Sequence, residues 1–100
     1  MSQADSPQIK ALKERYRASF PEKIELLRQQ CETIADGQIC SKQRLQVNEE
    51  LHKLAGSSGM YGYHEIDTSC REIMAEIDVS DAAALVPKIN GLMLLLERHS

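Results

Sequence analysis

Residues 41–62 read SKQRLQVNEELHKLAGSSGMYG, and the period inside them decides the fold. Val47, Leu51, Leu54 and Ser58 follow one another at steps of four, three and four. That is the spacing of one face of an α-helix. Ser41 stands where a helix cap is wanted. The glycines at 56, 59 and 62 require the helix to end within their cluster.

The same period runs outward in both directions. Upstream, Ile9, Leu12, Tyr16, Phe20, Ile24, Leu27, Cys31 and Ile34 recur at steps of three or four. Pro21 interrupts this stripe, because it lacks an N–H and collides with the preceding turn. Proline suits the first turn of a helix. A short helix ending near Ser19 and a second starting at Phe20 or Pro21 are therefore expected, with Asp36-Gly37 as the stop. Downstream, a helix over 64–77 turns Ile66, Cys70, Ile73 and Ile77 inward and leaves Glu72, Glu76 and Asp78 outside. A last helix follows a Ser80 cap, with Val86, Ile89, Leu92, Met93 and Leu96 inward and Pro87 in its first turns. No alternating strand pattern competes. The expected fold is all-α: an antiparallel four-helix bundle with an additional short N-terminal helix, residues 1–100 forming one domain. Each large apolar side chain fully buried contributes about 1.5–3 kcal/mol, so neither metal nor disulfide is needed to hold it.

Composition narrows the function. Of 100 residues, 42% are hydrophobic and 27% charged, a globular balance. Twelve Lys and Arg against fifteen Asp and Glu give a net charge of −3, with no basic stripe for nucleic acid. No apolar run is long enough to span a membrane, and residues 1–8 do not resemble a signal peptide. Cys31, Cys40 and Cys70 are odd in number and lack Cys-x-x-Cys spacing. They read as reduced thiols of a cytoplasmic protein. No metal site is expected, since His52, His64 and His99 form no tight ligand pairs.

One segment breaks the rules of a stable helix. Gly56 and Gly59 lie inside the pattern, and an interior glycine costs about 1 kcal/mol relative to Ala. Such violations often mark function. At 100° per residue, His52 points roughly 130° away from the core face. Gly56 and Gly59 lie one and two turns beyond it on the same side, and Leu45, Asn48 and Glu49 on the turns before. An exposed imidazole thus stands over a helix stripped of side chains, with an apolar Leu45 beside it. A neutral imidazole has one free ring nitrogen and needs no helper base. No Ser-His-Asp or Cys-His set accompanies it. Phosphoryl transfer onto nitrogen is the reaction that fits. Gly56 leaves room for the phosphoryl group, and Lys53 is a nearby cation able to offset its charge.

His52-Lys53-Leu54-Ala55-Gly56-Ser57-Ser58-Gly59, followed by Tyr61-Gly62, closely resembles the signature of histidine-containing phosphotransfer (HPt) domains. The resemblance implies a four-helix bundle with a short extra N-terminal helix. It implies that His52 accepts the phosphoryl group, with Gly56 clearing space and Lys53 beside it. Leu45, Asn48, Glu49, Ala55 and Gly59 are the expected docking residues. The family often carries Lys three positions after the histidine, where this chain has Ala55. The implied partners are receiver domains of a hybrid sensor kinase and of a response regulator. They supply the aspartate, the magnesium and most of the catalysis, so the chain is a carrier rather than an enzyme and holds no cofactor of its own. A wholly exposed working face fits a monomer. The competing reading is a non-catalytic helical adaptor that binds or sequesters receiver domains.

Overall fold

The computed structural model describes residues 7–34 and 39–100. Five helices follow one another: α1 (Pro7–Ala18), α2 (Phe20–Ile34), α3 (Ser41–Met60), α4 (His64–Glu76) and α5 (Ala82–His99). Among the described residues there is no strand. Helices α2 to α5 form the bundle, α2 packing on α3 and α5, and α4 on α3 and α5. Helix α1 is the additional N-terminal element and has no fully buried residue.

The chain breaks at Ser19, as expected. The Ser19 hydroxyl donates to the Tyr16 carbonyl at 2.5 Å, and the Ser19 carbonyl accepts from the Lys23 N–H at 3.2 Å. Pro21 is then the second residue of α2, where no intrahelical donor is required. The expected stop at Asp36-Gly37 lies outside the described residues.

The inner faces are those the spacing sets. Phe20, Ile24, Leu27, Cys31 and Ile34 of α2 meet Val47, Leu51, Leu54 and Ser58 of α3, all buried. Ile66, Cys70, Ile73 and Ile77 close one side. Four sequence expectations are corrected. Cys40, not Ser41, is the N-cap residue of α3, and its N–H donates to the Gln43 side chain at 3.0 Å. Asp81, not Ser80, caps α5, accepting from the Ala84 N–H at 2.9 Å. Its carboxylate stands directly before the first turn, whereas the Ser80 N–H is tied back to the Glu76 carbonyl at 2.9 Å. Leu12 is 45% exposed, because α1 is a separate helix that does not continue the α2 stripe into the core. In α5 the fully buried row is Leu85, Ile89, Leu92 and Leu96, while Val86 and Met93 are only partly buried beside it. Pro87 lies in the second turn of α5.

Helices α3 and α4 run antiparallel, and two anchors fix their register. Near the start of α3, the half-buried Arg44 donates to the carbonyls of Ile77 and Ser80, the latter at 2.7 Å. This satisfies the carbonyl of Ile77, the C-cap of α4, and that of Ser80 in the turn leading to α5. Near the end of α3, Gly59 lies against Asp67 of α4.

Candidate functional site

His52 lies in the middle of α3 and is exposed. Among the described residues it makes no hydrogen bond or ion pair. Leu45, one heptad before it, is 59% exposed. Glu49 is exposed and Asn48 half-buried. With Gly56 and Gly59 beyond His52, they make a ridge along α3 from Leu45 to Gly59, about 20 Å long at 1.5 Å rise per residue.

The two glycines of this ridge differ. A β-carbon at Gly56 would meet nothing within 4 Å, so no packing among the described residues demands glycine there. A β-carbon at Gly59 would stand 3.1 Å from Asp67 Oδ2 and 3.5 Å from Asp67 Cγ. Gly59 is therefore a point of close approach between α3 and α4. Gly56 is left as the open position beside the histidine.

Ala55 does not belong to the exposed face. It is 3% exposed and part of the core, four residues after Leu51 on the same inward side. The expectation of Ala55 as a docking residue is corrected on that ground. Lys53 is exposed, and its ammonium lies 3.8 Å from Glu50 Oε1. It flanks a small groove lined also by Lys23 and Leu27 of α2, so it stands on the α2 side of the ridge.

Two residues on the other side were not singled out from the sequence. Arg71 Nε donates to Asp67 Oδ1 at 2.7 Å, the pair lying one turn apart on α4. The available signal was their i, i+4 spacing, together with the fact that Arg71 is the only Lys or Arg between 54 and 87. Sequence spacing did not say which helix they face.

Below the ridge, α1 braces α3. The Tyr16 and Ser57 hydroxyls share a 2.7 Å hydrogen bond, and Ser57 also donates to the Lys53 carbonyl at 2.8 Å. Burial holds the Tyr16 phenol above the usual tyrosine range. The Tyr16 ring meets Phe20 at 5.2 Å and Tyr61 at 4.8 Å, and Tyr63 meets Phe20 at 5.3 Å and His99 at 5.7 Å. This aromatic cluster closes the bundle end next to the glycine segment. His64 opens α4, and His99 packs on Tyr63. Cys31 and Cys70 are buried free thiols and Cys40 an exposed one. No cluster of His, Cys, Asp or Glu among the described residues is arranged to hold a metal ion. No described helix is long and apolar enough to cross a membrane.

The geometry is thus an exposed imidazole on the outside of a helical bundle, without a partner among the described residues, and with open backbone one turn beyond it. A family model described as Hpt domain matches residues 11–98. No curated protein and no solved structure matches the chain. The match takes in the bundle and the whole ridge, and the chain belongs to the Hpt domain family, the histidine phosphotransfer modules of phosphorelays.

Proposed function

We propose that His52 is the phosphoacceptor and that it exchanges a phosphoryl group with the aspartyl phosphate of receiver domains. One observation carries this reading: His52 is exposed and unpartnered in mid-helix, and Gly56 beside it is open with no packing reason to be glycine. His64 opens a helix and His99 is engaged by Tyr63, so neither offers such a face.

The transfer balances simply. A ring nitrogen lone pair of neutral His52 attacks phosphorus of the receiver's acyl phosphate. The N–P bond forms as the P–O bond to the aspartate breaks. The carboxylate leaves with that bond's electron pair, and the imidazole keeps its single proton on the other nitrogen. The reverse step returns the group to a second receiver. A magnesium ion held by the receiver would supply charge neutralisation for the transferring group, and positioning does most of the rest. This chain contributes the nucleophile, the space at Gly56 and a docking ridge of Leu45, Asn48 and Glu49. Gly59 contributes to docking only by keeping α4 close and the ridge low.

A radiolabel transfer assay tests the reading. Purified receiver domains of hybrid kinases and response regulators from the same cell are phosphorylated and mixed with the chain. Label on the wild type should be acid-labile and alkali-stable, and absent from a folded His52→Gln variant. Receiver binding that survives in His52→Gln, with no label on either form, would replace the carrier by the adaptor.

A further inference from the structure

We propose that Arg71, across the helix interface from Ala55 and Gly56, is the cationic partner of the phosphoryl group on His52. This rests on the reading of His52 as phosphoacceptor.

A phosphoryl group brings nearly two negative charges to an exposed helix face. On α3 itself little is placed to meet it. Ala55 is uncharged and buried, and Lys53 stands on the α2 side of the ridge, beside Lys23 and Leu27, with its ammonium 3.8 Å from Glu50 Oε1. Glu49, on the ridge, adds negative charge. On the opposite side of the ridge, α4 is the helix that approaches at Gly59, and it carries Arg71.

Register places Arg71. Asp67 is level with Gly59 through their near-contact. From Gly59 back to His52 is seven residues, about 10 Å of helix. From Asp67 on to Arg71 is four residues, about 6 Å in the same direction because the helices are antiparallel. Arg71 therefore originates about 4 Å short of the level of His52, beside Ala55 and Gly56. The second anchor, Arg44 on the Ile77 and Ser80 carbonyls, agrees with that register. Neither Ala55 nor Gly56 raises a side chain between Arg71 and the imidazole.

The guanidinium is also free to move. Its side chain is 66% exposed, and its described partner is Asp67, one turn back along its own helix. An exposed i, i+4 pair of this kind is weak. A phosphoryl dianion offers more charge and a better-matched set of oxygens for the guanidinium fork. Asp67 thus parks Arg71 in the unphosphorylated protein, and phosphorylation of His52 draws it across Gly56.

The test uses the full chain, phosphorylated at histidine with potassium phosphoramidate and followed by phosphorus and nitrogen NMR. In the phosphorylated wild type the Arg71 Nε–Hε resonance should move. The second ionisation of the phosphoryl group should lie lower than in Arg71→Gln, by about half a pH unit for one exposed charge pair. Arg71→Lys should fall between them. Asp67→Asn, which breaks the same ion pair but keeps the arginine, should retain the low value and so exclude a merely structural effect. An unmoved Arg71 resonance with equal phosphoryl ionisation in wild type and Arg71→Gln would overturn the proposal and leave the phosphoacceptor standing. A wild type that takes no phosphoryl group at His52, or one labelled no more than His52→Gln, would overturn the phosphoacceptor itself and this proposal with it.

Discussion

The Asp67 carboxylate stands 3.1 Å from where a β-carbon at Gly59 would lie, a close approach between the end of α3 and the start of α4. Gly56, one turn nearer His52, has no such neighbour. The two glycines should therefore respond differently to alanine. Gly56→Ala should raise stability by about 1 kcal/mol, the helix-propensity gain, while slowing transfer from receiver domains. Gly59→Ala must displace a carboxylate held by Arg71, so its gain should be smaller or reversed. Urea unfolding of both variants checks the order, and equal stabilisation of the two would contradict it.

The Tyr16–Ser57 hydrogen bond makes a second prediction. Helix α1 buries no residue completely, and Tyr16 is one of its holds on the bundle. Tyr16→Phe keeps the ring contacts with Phe20 and Tyr61 but removes the hydroxyl. A net loss of about 0.5–1.5 kcal/mol is expected for a partly buried hydrogen bond. Amide exchange should quicken in α1 before α3 is affected. Uniform exchange across both helices would mean that Tyr16 stabilises the whole bundle rather than the docking of α1.

Much of this molecule was legible as periodicity. The break at Ser19, the inward rows of α2, α3 and α4, and the exposure of His52 all follow from spacing at 100° per residue. Where two adjacent residues compete, spacing fails. Leu85 and Val86 both fit the α5 pattern, and only packing against α2 and α4 put Leu85 inside. Ser80 and Asp81 are both good caps, and the turn after α4 decided for Asp81. The sequence neighbours of Ala55, His52 and Gly56, lie on the working face, but Ala55 itself does not. Its position four residues after Leu51 already pointed inward. What no spacing could show was register between helices. Arg44 on the end of α4, and Asp67 against Gly59, are tertiary facts.

Arg44 supports a third prediction. It is half-buried and bonds the Ile77 carbonyl at the end of α4, where intrahelical donors run out, and the Ser80 carbonyl in the turn after it. Arg44→Gln should cost about 1.5 kcal/mol, the low end for bonds to a charged group, since the site is partly open to water. Loss of helicity should concentrate at residues 74–80. An unchanged unfolding midpoint would show that water replaces the guanidinium without penalty.

Cys70 predicts an alkaline limit to stability. It is 0% exposed, and burial, with the nearby Asp67 charge adding to it, pushes its thiol from 9.0 up to about 12. The unfolded chain ionises this thiol first and the folded chain resists. The thiol's contribution is therefore intact below about pH 9 and is lost as pH rises toward about 12, at up to about 1.4 kcal/mol per pH unit. Burial raises the Cys31 thiol in the same direction. Cys70→Ala should flatten the alkaline slope even though its neutral-pH stability falls for the lost packing. If the slope is unchanged in that variant, Cys70 is not its source.

Leu45 separates docking from folding. Its side chain is 59% exposed on the ridge, seven residues before His52, and belongs to no core cluster. Leu45→Ala should therefore leave the unfolding midpoint within about 0.5 kcal/mol of wild type, as surface changes usually do. If the ridge is the receiver-docking face, an exposed aliphatic side chain there is an anchor, and losing it should weaken receiver binding by about 1–2 kcal/mol, or about fivefold to thirtyfold. Titration of a receiver domain onto wild type, Leu45→Ala and the distal control Leu94→Ala measures this directly. Leu94 is comparably exposed at 63% but lies on α5. Equal weakening by both would mean that general surface hydrophobicity drives association. Weakening by Leu45→Ala alone, with transfer rescued at high receiver concentration, would place the contact on the His52 ridge and leave the chemistry at the imidazole untouched.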